Sequence, residues 1–152
     1  TGIRVSKLVS LTIDDINVQA GYIRCSERGR ERIIPIGRPC RRAMDTYIAE
    51  VRALLLKGQE SEMLFLNYAG KPFTRQGLWK ILKEYGETAG FDIPLTPQVI
   101  RNSFAVHMLQ NGADVKSLQE LMGHEDISAT QAYLAVVKNR IKDVYDKTHP
   151  RA

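Results

Sequence analysis

Residues 96–133 read T-P-Q-V-I-R-N-S-F-A-V-H-M-L-Q-N-G-A-D-V-K-S-L-Q-E-L-M-G-H-E-D-I-S-A-T-Q-A-Y. Thr96-Pro97 is a helix start, a capping residue followed by proline at the first helical position, where its missing N–H costs nothing. Ile100, Phe104 and Met108 (or Leu109) recur at helical spacing and supply a buried face, and Asn111-Gly112 stops the helix. Asp114 caps a second helix carrying Val115, Leu118, Leu121 and Met122, which Gly123 ends. Ser128 caps a third, which holds Tyr133. An arginine (Arg101), a glycine-linked histidine (His124) and a tyrosine (Tyr133) therefore fall on three successive helical segments.

Working outward toward the N-terminus, Thr74 is an N-cap for Leu78, Ile81, Leu82 and Tyr85, with Gly90 after the end. Leu64–Phe65–Leu66 is a short apolar run, and residues 67–71 make a turn. From Pro39 a helix carries Ala43, Tyr47, Val51, Leu54 and Leu55 on one face and ends at Gly58. Residues 13–36 read differently. Ile13, Ile16, Val18, Tyr22 and Ile23 sit around Gly21, Arg28-Gly29-Arg30 is a turn tip, and R-I-I-P-I is β-branched with Pro35 near an edge. That is a small antiparallel sheet of two or three strands. A short helix starts near Arg4 or Ser6, and Ile141, Val144 and Tyr145 mark a last helix before His149-Pro150. The expectation is one domain over residues 1–152, mainly α with a small antiparallel β-sheet near the N-terminus (α+β).

Composition narrows the function. The chain has 152 residues, enough for one sizeable core, with 43% apolar and 26% charged residues, as in soluble globular proteins. No apolar run approaches the roughly 18–20 residues of a membrane span, and no signal-peptide pattern is present. Cys25 and Cys40 have neither metal-site spacing nor a disulfide framework, which fits reduced thiols in the cytoplasm. The net charge of +5 favours a polyanionic partner. The chain begins T-G-I-R-V-S-K-L without an initiator methionine, already in mid-pattern, and is expected to be a fragment of a longer protein.

The candidate chemistry follows from the residue types. A phosphodiester is anionic and its transition state more so, so cleavage without a metal needs fixed cations. Arginine suits this, because its planar fork contacts two oxygens and stays charged. Arg4, beside a glycine at a helix entrance, and Arg101, in the first turn of a helix among apolar residues, are the candidates. Alone, an arginine is usually a solvated surface charge, a histidine after a glycine a turn residue, and a tyrosine on an amphipathic helix part of the core. Together they can grip a phosphate and attack it with a phenol, which nearby arginines would help to ionise.

At this point the sequence resembles the tyrosine recombinase (phage integrase) family, most closely its bacterial Xer branch. The resemblance spans essentially the whole chain through G-R-E-R-I-I-P-I, T-R-Q-G-L-W, H-M-L-Q-N-G-A-D, L-Q-E-L-M-G-H and T-Q-A-Y. It implies a tyrosine recombinase catalytic-domain fold, here truncated at its N-terminus with the core-binding domain absent. It implies DNA cleavage through a 3′-phosphotyrosyl link, releasing a 5′-hydroxyl, and rejoining by reversal, with no metal and no cofactor. Tyr133 matches the nucleophile, Arg4 and Arg101 the two phosphate-clamping arginines, and His124 the histidine of the family's L-G-H motif, here M-G-H. The implied partner is double-stranded DNA, contacted through Arg28, Arg30, Arg32 and Arg75. A homo- or hetero-tetramer on DNA is implied for the full-length protein, and no membrane.

Two positions depart from the family pattern. Gln98 stands three residues before Arg101, where the family has histidine or sometimes lysine. Glutamine can hydrogen-bond a phosphate but cannot carry charge or relay a proton. Glu27 stands where the family's hairpin lysine protonates the leaving 5′-oxygen. Its carboxylate repels phosphate, and the adjacent Arg28 offers a cation but is a poor proton donor. Slow chemistry, a degenerate recombinase and a lineage with a modified site all remain open. A catalytically impaired or inactive DNA-binding module is the alternative, since residues 114–136 also have the outline of a helix-turn-helix around Gly123. A basic helical protein without a DNA role is a third reading.

Overall fold

The computed structural model describes residues 1–27, 29–123 and 133, except for the side chains of Glu27 and Arg30. It divides into two compact units, one formed by Thr1 and Ile3–Pro97, the other by Gly2 and Gln98–Ala152.

The first unit is built on a three-stranded antiparallel sheet, β1 (Ile16–Asn17), β2 (Tyr22–Glu27) and β3 (Arg30–Pro35), in the order β1-β2-β3. Pro35 lies on edge strand β3, where no further partner needs its missing N–H. Register pairs Ile23 with Ile34 and Cys25 with Arg32. Alternation puts Ile23, Cys25 and Ile34 in the core and leaves Ile33 56% exposed. Glu27 pairs with Arg30, which leaves a two-residue turn, and Gly29 at φ 76 supplies the left-handed backbone such a turn demands. Before the sheet, α1 (Val5–Leu8) follows Arg4, and Leu11 enters the core.

The helical run after β3 is α2 (Arg38–Thr46), a π-helical segment (Tyr47–Val51) and α3 (Arg52–Leu56). Here the inward face differs from the sequence expectation. Met44 is buried, whereas Ala43 and Val51 are exposed and Leu54 is 75% exposed. Tyr47 and Leu55 are half-buried as expected, and the inward side also takes in Met44, Ile48, Arg52 and Leu56. Polar groups then fasten residues 61–66 to this helix. The Tyr47 hydroxyl donates to the Leu64 carbonyl (3.1 Å) and accepts from the Leu66 amide (3.0 Å), and Arg52 donates to the carbonyls of Ser61 and Met63. Leu64 and Leu66 complete the core.

Helix α4 (Arg75–Thr88) begins at Thr74, whose hydroxyl accepts from the Gly77 amide at 3.0 Å. Tyr85, expected on the inward face, is 66% exposed. The face turns inward at Gly86 instead, where an added Cβ would lie 2.8 Å from the Leu95 Cβ. Leu82 and Leu78, four and eight residues earlier, share that stripe.

The second unit centres on α5 (Pro97–Gln110) and α6 (Val115–Met122). Ala105, Leu109, Leu118 and Met122 form its core, with Phe104, Met108, Val115 and Tyr133 packed against it. Ile100 is 42% exposed, contrary to expectation, and the inner stripe begins at Arg101. Asp114 caps α6 by accepting from the Ser117 amide at 2.9 Å, and Gly123 closes it in the left-handed conformation at φ 64. Tyr133 has helical backbone, while Ser128, Ile141, Val144 and Tyr145 lie outside the described residues, as does the helix-turn-helix outline beyond Gly123. No helix among the described residues is long and apolar enough to cross a membrane.

Candidate active site

Arg101 is the one charged residue buried among the described residues, at 6% exposure. A guanidinium is tolerated there only because its donors are satisfied. Nη2 donates to the Met122 carbonyl at 2.7 Å, and Nη1 donates to the Gly2 carbonyl. Met122 is the last residue of α6, so its carbonyl has no partner within the helix and sits at the negative end of the helix dipole. The Gly2 carbonyl reaches the guanidinium because Gly2 adopts φ 61, and a Cβ there would come 2.4 Å from Phe104 Cδ1. Arg101 is thereby fixed as a rigid cation at the start of α5.

Beside it on α5 lies a polar chain. Gln98 Nε2 donates to Asn102 Oδ1 at 2.7 Å, and the Tyr133 hydroxyl donates to the same oxygen at 2.9 Å. Gln98 and Asn102 are four residues apart and meet on the helix surface. The amide oxygen of Asn102, the residue next to Arg101 in sequence, thus joins Gln98 to a phenol 31 residues beyond Asn102. A fixed guanidinium, a pair of amides and a phenol in one unit are what is needed to bind a tetrahedral oxyanion and present an oxygen nucleophile to it.

Of the residues singled out from the sequence, Gln98, Arg101 and Tyr133 share this unit and are linked through Asn102 or the chain next to it. His124 lies outside the described residues. Arg4 belongs to the first unit, half-buried at the N-terminal boundary of α1. Glu27 and Arg30 close the β2–β3 hairpin by their backbones, Arg28 lies outside the described residues, Arg32 is half-buried in β3, and Arg75 is exposed at the start of α4. Neither cysteine forms a disulfide among the described residues; Cys25 is buried and Cys40 exposed. Nothing in the sequence singles out Asn102. Its only signal is the four-residue spacing from Gln98, which becomes informative once Gln98 is itself of interest.

Comparison with known proteins defines the class to which this fold belongs. Residues 1–140 match the model of the Phage integrase family, and the chain belongs to that family. It is 48% identical over its whole length to the tyrosine recombinase XerD of Halalkalibacterium halodurans and 48% identical to that of Staphylococcus haemolyticus, covering 51% and 52% of those proteins. The chain thus spans about half the length of the curated relatives it matches. Among solved structures, the crystal structure of XerA recombinase superposes with a TM-score of 0.83 at 27% identity, over all of this chain and 55% of that one. The XerH recombinase bound to palindromic difH substrate in a post-cleavage complex shares the fold, with a TM-score of 0.80 at 23% identity, over 95% of this chain and 41% of that one. The mainly helical architecture with a small antiparallel sheet is the tyrosine recombinase catalytic-domain fold.

Proposed function

We propose that this chain is the catalytic domain of a site-specific DNA recombinase, preceded in the full-length protein by a core-binding domain. Tyr133 Oη attacks the scissile phosphorus and the P–O5′ bond breaks. The 3′-phosphate is left on the tyrosine and the 5′-oxygen leaves as a hydroxyl after taking a proton. The reverse step, with a different 5′-hydroxyl, rejoins the strand with no metal or nucleotide. Arg4 and Arg101 clamp the phosphate, and His124 donates a hydrogen bond or shuttles the proton. Gln98 serves in place of the expected histidine. The N–H donors of its primary amide can turn from Asn102 to a phosphate oxygen. Arg28, Arg30, Arg32 and Arg75 contact the duplex backbone, and Arg28 offers the cation that Glu27 does not. The full-length protein acts in the cytoplasm as a homo- or hetero-tetramer on DNA.

The observation that carries this reading is the Tyr133 hydroxyl bonded at 2.9 Å to the residue next to buried Arg101, within a chain of the phage integrase family. The test is a duplex carrying the protein's own recombination site and a nick that traps the cleaved strand. The full-length protein forms a covalent protein–DNA adduct, and Tyr133→Phe abolishes it while binding the same duplex with unchanged affinity.

A second reading, a DNA-binding module with impaired chemistry, is favoured by the engagement of Gln98 with Asn102 and by the carboxylate at Glu27. It predicts salt-sensitive duplex binding in both proteins and no adduct in either.

A further inference from the structure

Asn102 Oδ1 accepts two hydrogen bonds, from Gln98 Nε2 at 2.7 Å and from the Tyr133 hydroxyl at 2.9 Å. An amide oxygen has two lone pairs, so both are used. The Gln98 bond fixes the rotation of the Asn102 amide, and that orientation presents an acceptor, and not an N–H, to the phenol. The phenol is therefore held as a donor, with its proton directed at a group that cannot take it, because an amide oxygen is not a base near neutral pH. The ring is restrained too, since it packs against the core of Ala105, Leu109, Leu118 and Met122. Attack on phosphorus requires the phenol to lose its proton, so the bond to Asn102 has to break first.

We propose that Asn102, oriented by Gln98, is a positioning residue that holds the Tyr133 hydroxyl as a hydrogen-bond donor in the DNA-free protein and releases it when the phosphate arrives. This rests on the reading of Tyr133 as the nucleophile. DNA binding supplies a competing partner for Gln98. When its amide turns to the phosphate, the Asn102 amide loses its orientation and the phenol is released. Gln98, the residue that departs from the family pattern, thereby couples phosphate binding to release of the nucleophile.

The test uses the full-length protein mixed with the nicked duplex at saturating concentration, so that release of the phenol follows binding and lies within the measured single-turnover step. Asn102→Ala removes the acceptor, and the single-turnover rate of adduct formation rises roughly two- to tenfold, the range spanned by one neutral hydrogen bond. Asn102→Ser, too short to reach the phenol, gives the same direction should the alanine variant fold poorly. In DNA-free protein carrying 13C at the tyrosine ζ carbon, the Tyr133 signal moves in the variant, and adding duplex to wild type moves it the same way. A general folding defect slows the reaction and cannot produce an increase. A rate that is unchanged or lower, or a Tyr133 signal identical in variant and wild type, overturns the proposal. Absence of adduct in the wild type overturns instead the recombinase reading on which it rests.

Discussion

Arg101 shows how a single residue joins stability to chemistry. Its guanidinium spans the carbonyls of Gly2 and Met122, which are 120 positions apart in the chain. Replacing it with methionine keeps most of the volume but leaves two buried or half-buried carbonyls without this donor, at about 1–3 kcal/mol each. We expect Arg101→Met to lower the unfolding free energy measured in urea by about 2–4 kcal/mol, in addition to any loss of cleavage. Arg101→Lys retains charge but has a single nitrogen that cannot span both carbonyls, so its stability falls between the two. Equal stability of wild type and Arg101→Met would show that the guanidinium is held for the ligand alone. Arg101 as a cation among apolar residues is legible from the sequence. Its anchoring is not, because the partners are main-chain carbonyls, which every residue carries and no motif marks.

At the level of elements, caps and stops are the most readable features. Thr74, Asp114, Gly112 and Gly123 act as their residue types require, because a cap is a local interaction within three or four residues. Which face of a helix turns inward is less readable, because it depends on phase. Along the helix before Gly58, Met44 is buried and Ala43 exposed, and Gly86 reaches the core by lacking a side chain, which a pattern of large apolar residues cannot reveal. Arg101 displaces Ile100 from the inner stripe for a similar reason, since a satisfied polar group can occupy a core position. The cap of α6 also makes a pH prediction. The Ser117 hydroxyl and amide donate to the Asp114 carboxylate and hold it below its ordinary range. A carboxylate depressed in the folded state contributes stability above its unfolded value of about 4, and that contribution is lost as pH falls through the folded value. Below pH of about 4, the protection of amides at the start of α6, taken relative to their intrinsic exchange rates, should therefore fall. Asp114→Asn keeps an acceptor but does not titrate, so it should cap α6 at neutral pH and remove this acid-side loss. Identical acid sensitivity in the two proteins would contradict the assignment.

On the scale of the whole molecule, family membership and the recombinase fold rest on ordered motifs along the entire chain, and these the sequence displays openly. The candidate site is less evenly legible. Tyr133, Arg101 and Gln98 stand out by motif and spacing, whereas Asn102 becomes visible only where folding brings residues 31 apart together at one amide oxygen. Gln98 and Glu27 make the chemistry the point to test, since a protein of this ancestry can keep DNA binding without cleavage. The direct measurement is mass spectrometry of the full-length protein after reaction with its own nicked recombination site. The account predicts a peptide containing Tyr133 that carries the 3′-terminal nucleotide through a phosphotyrosine bond. A covalent adduct mapped to any other residue, or bound DNA with no adduct at all, would contradict it.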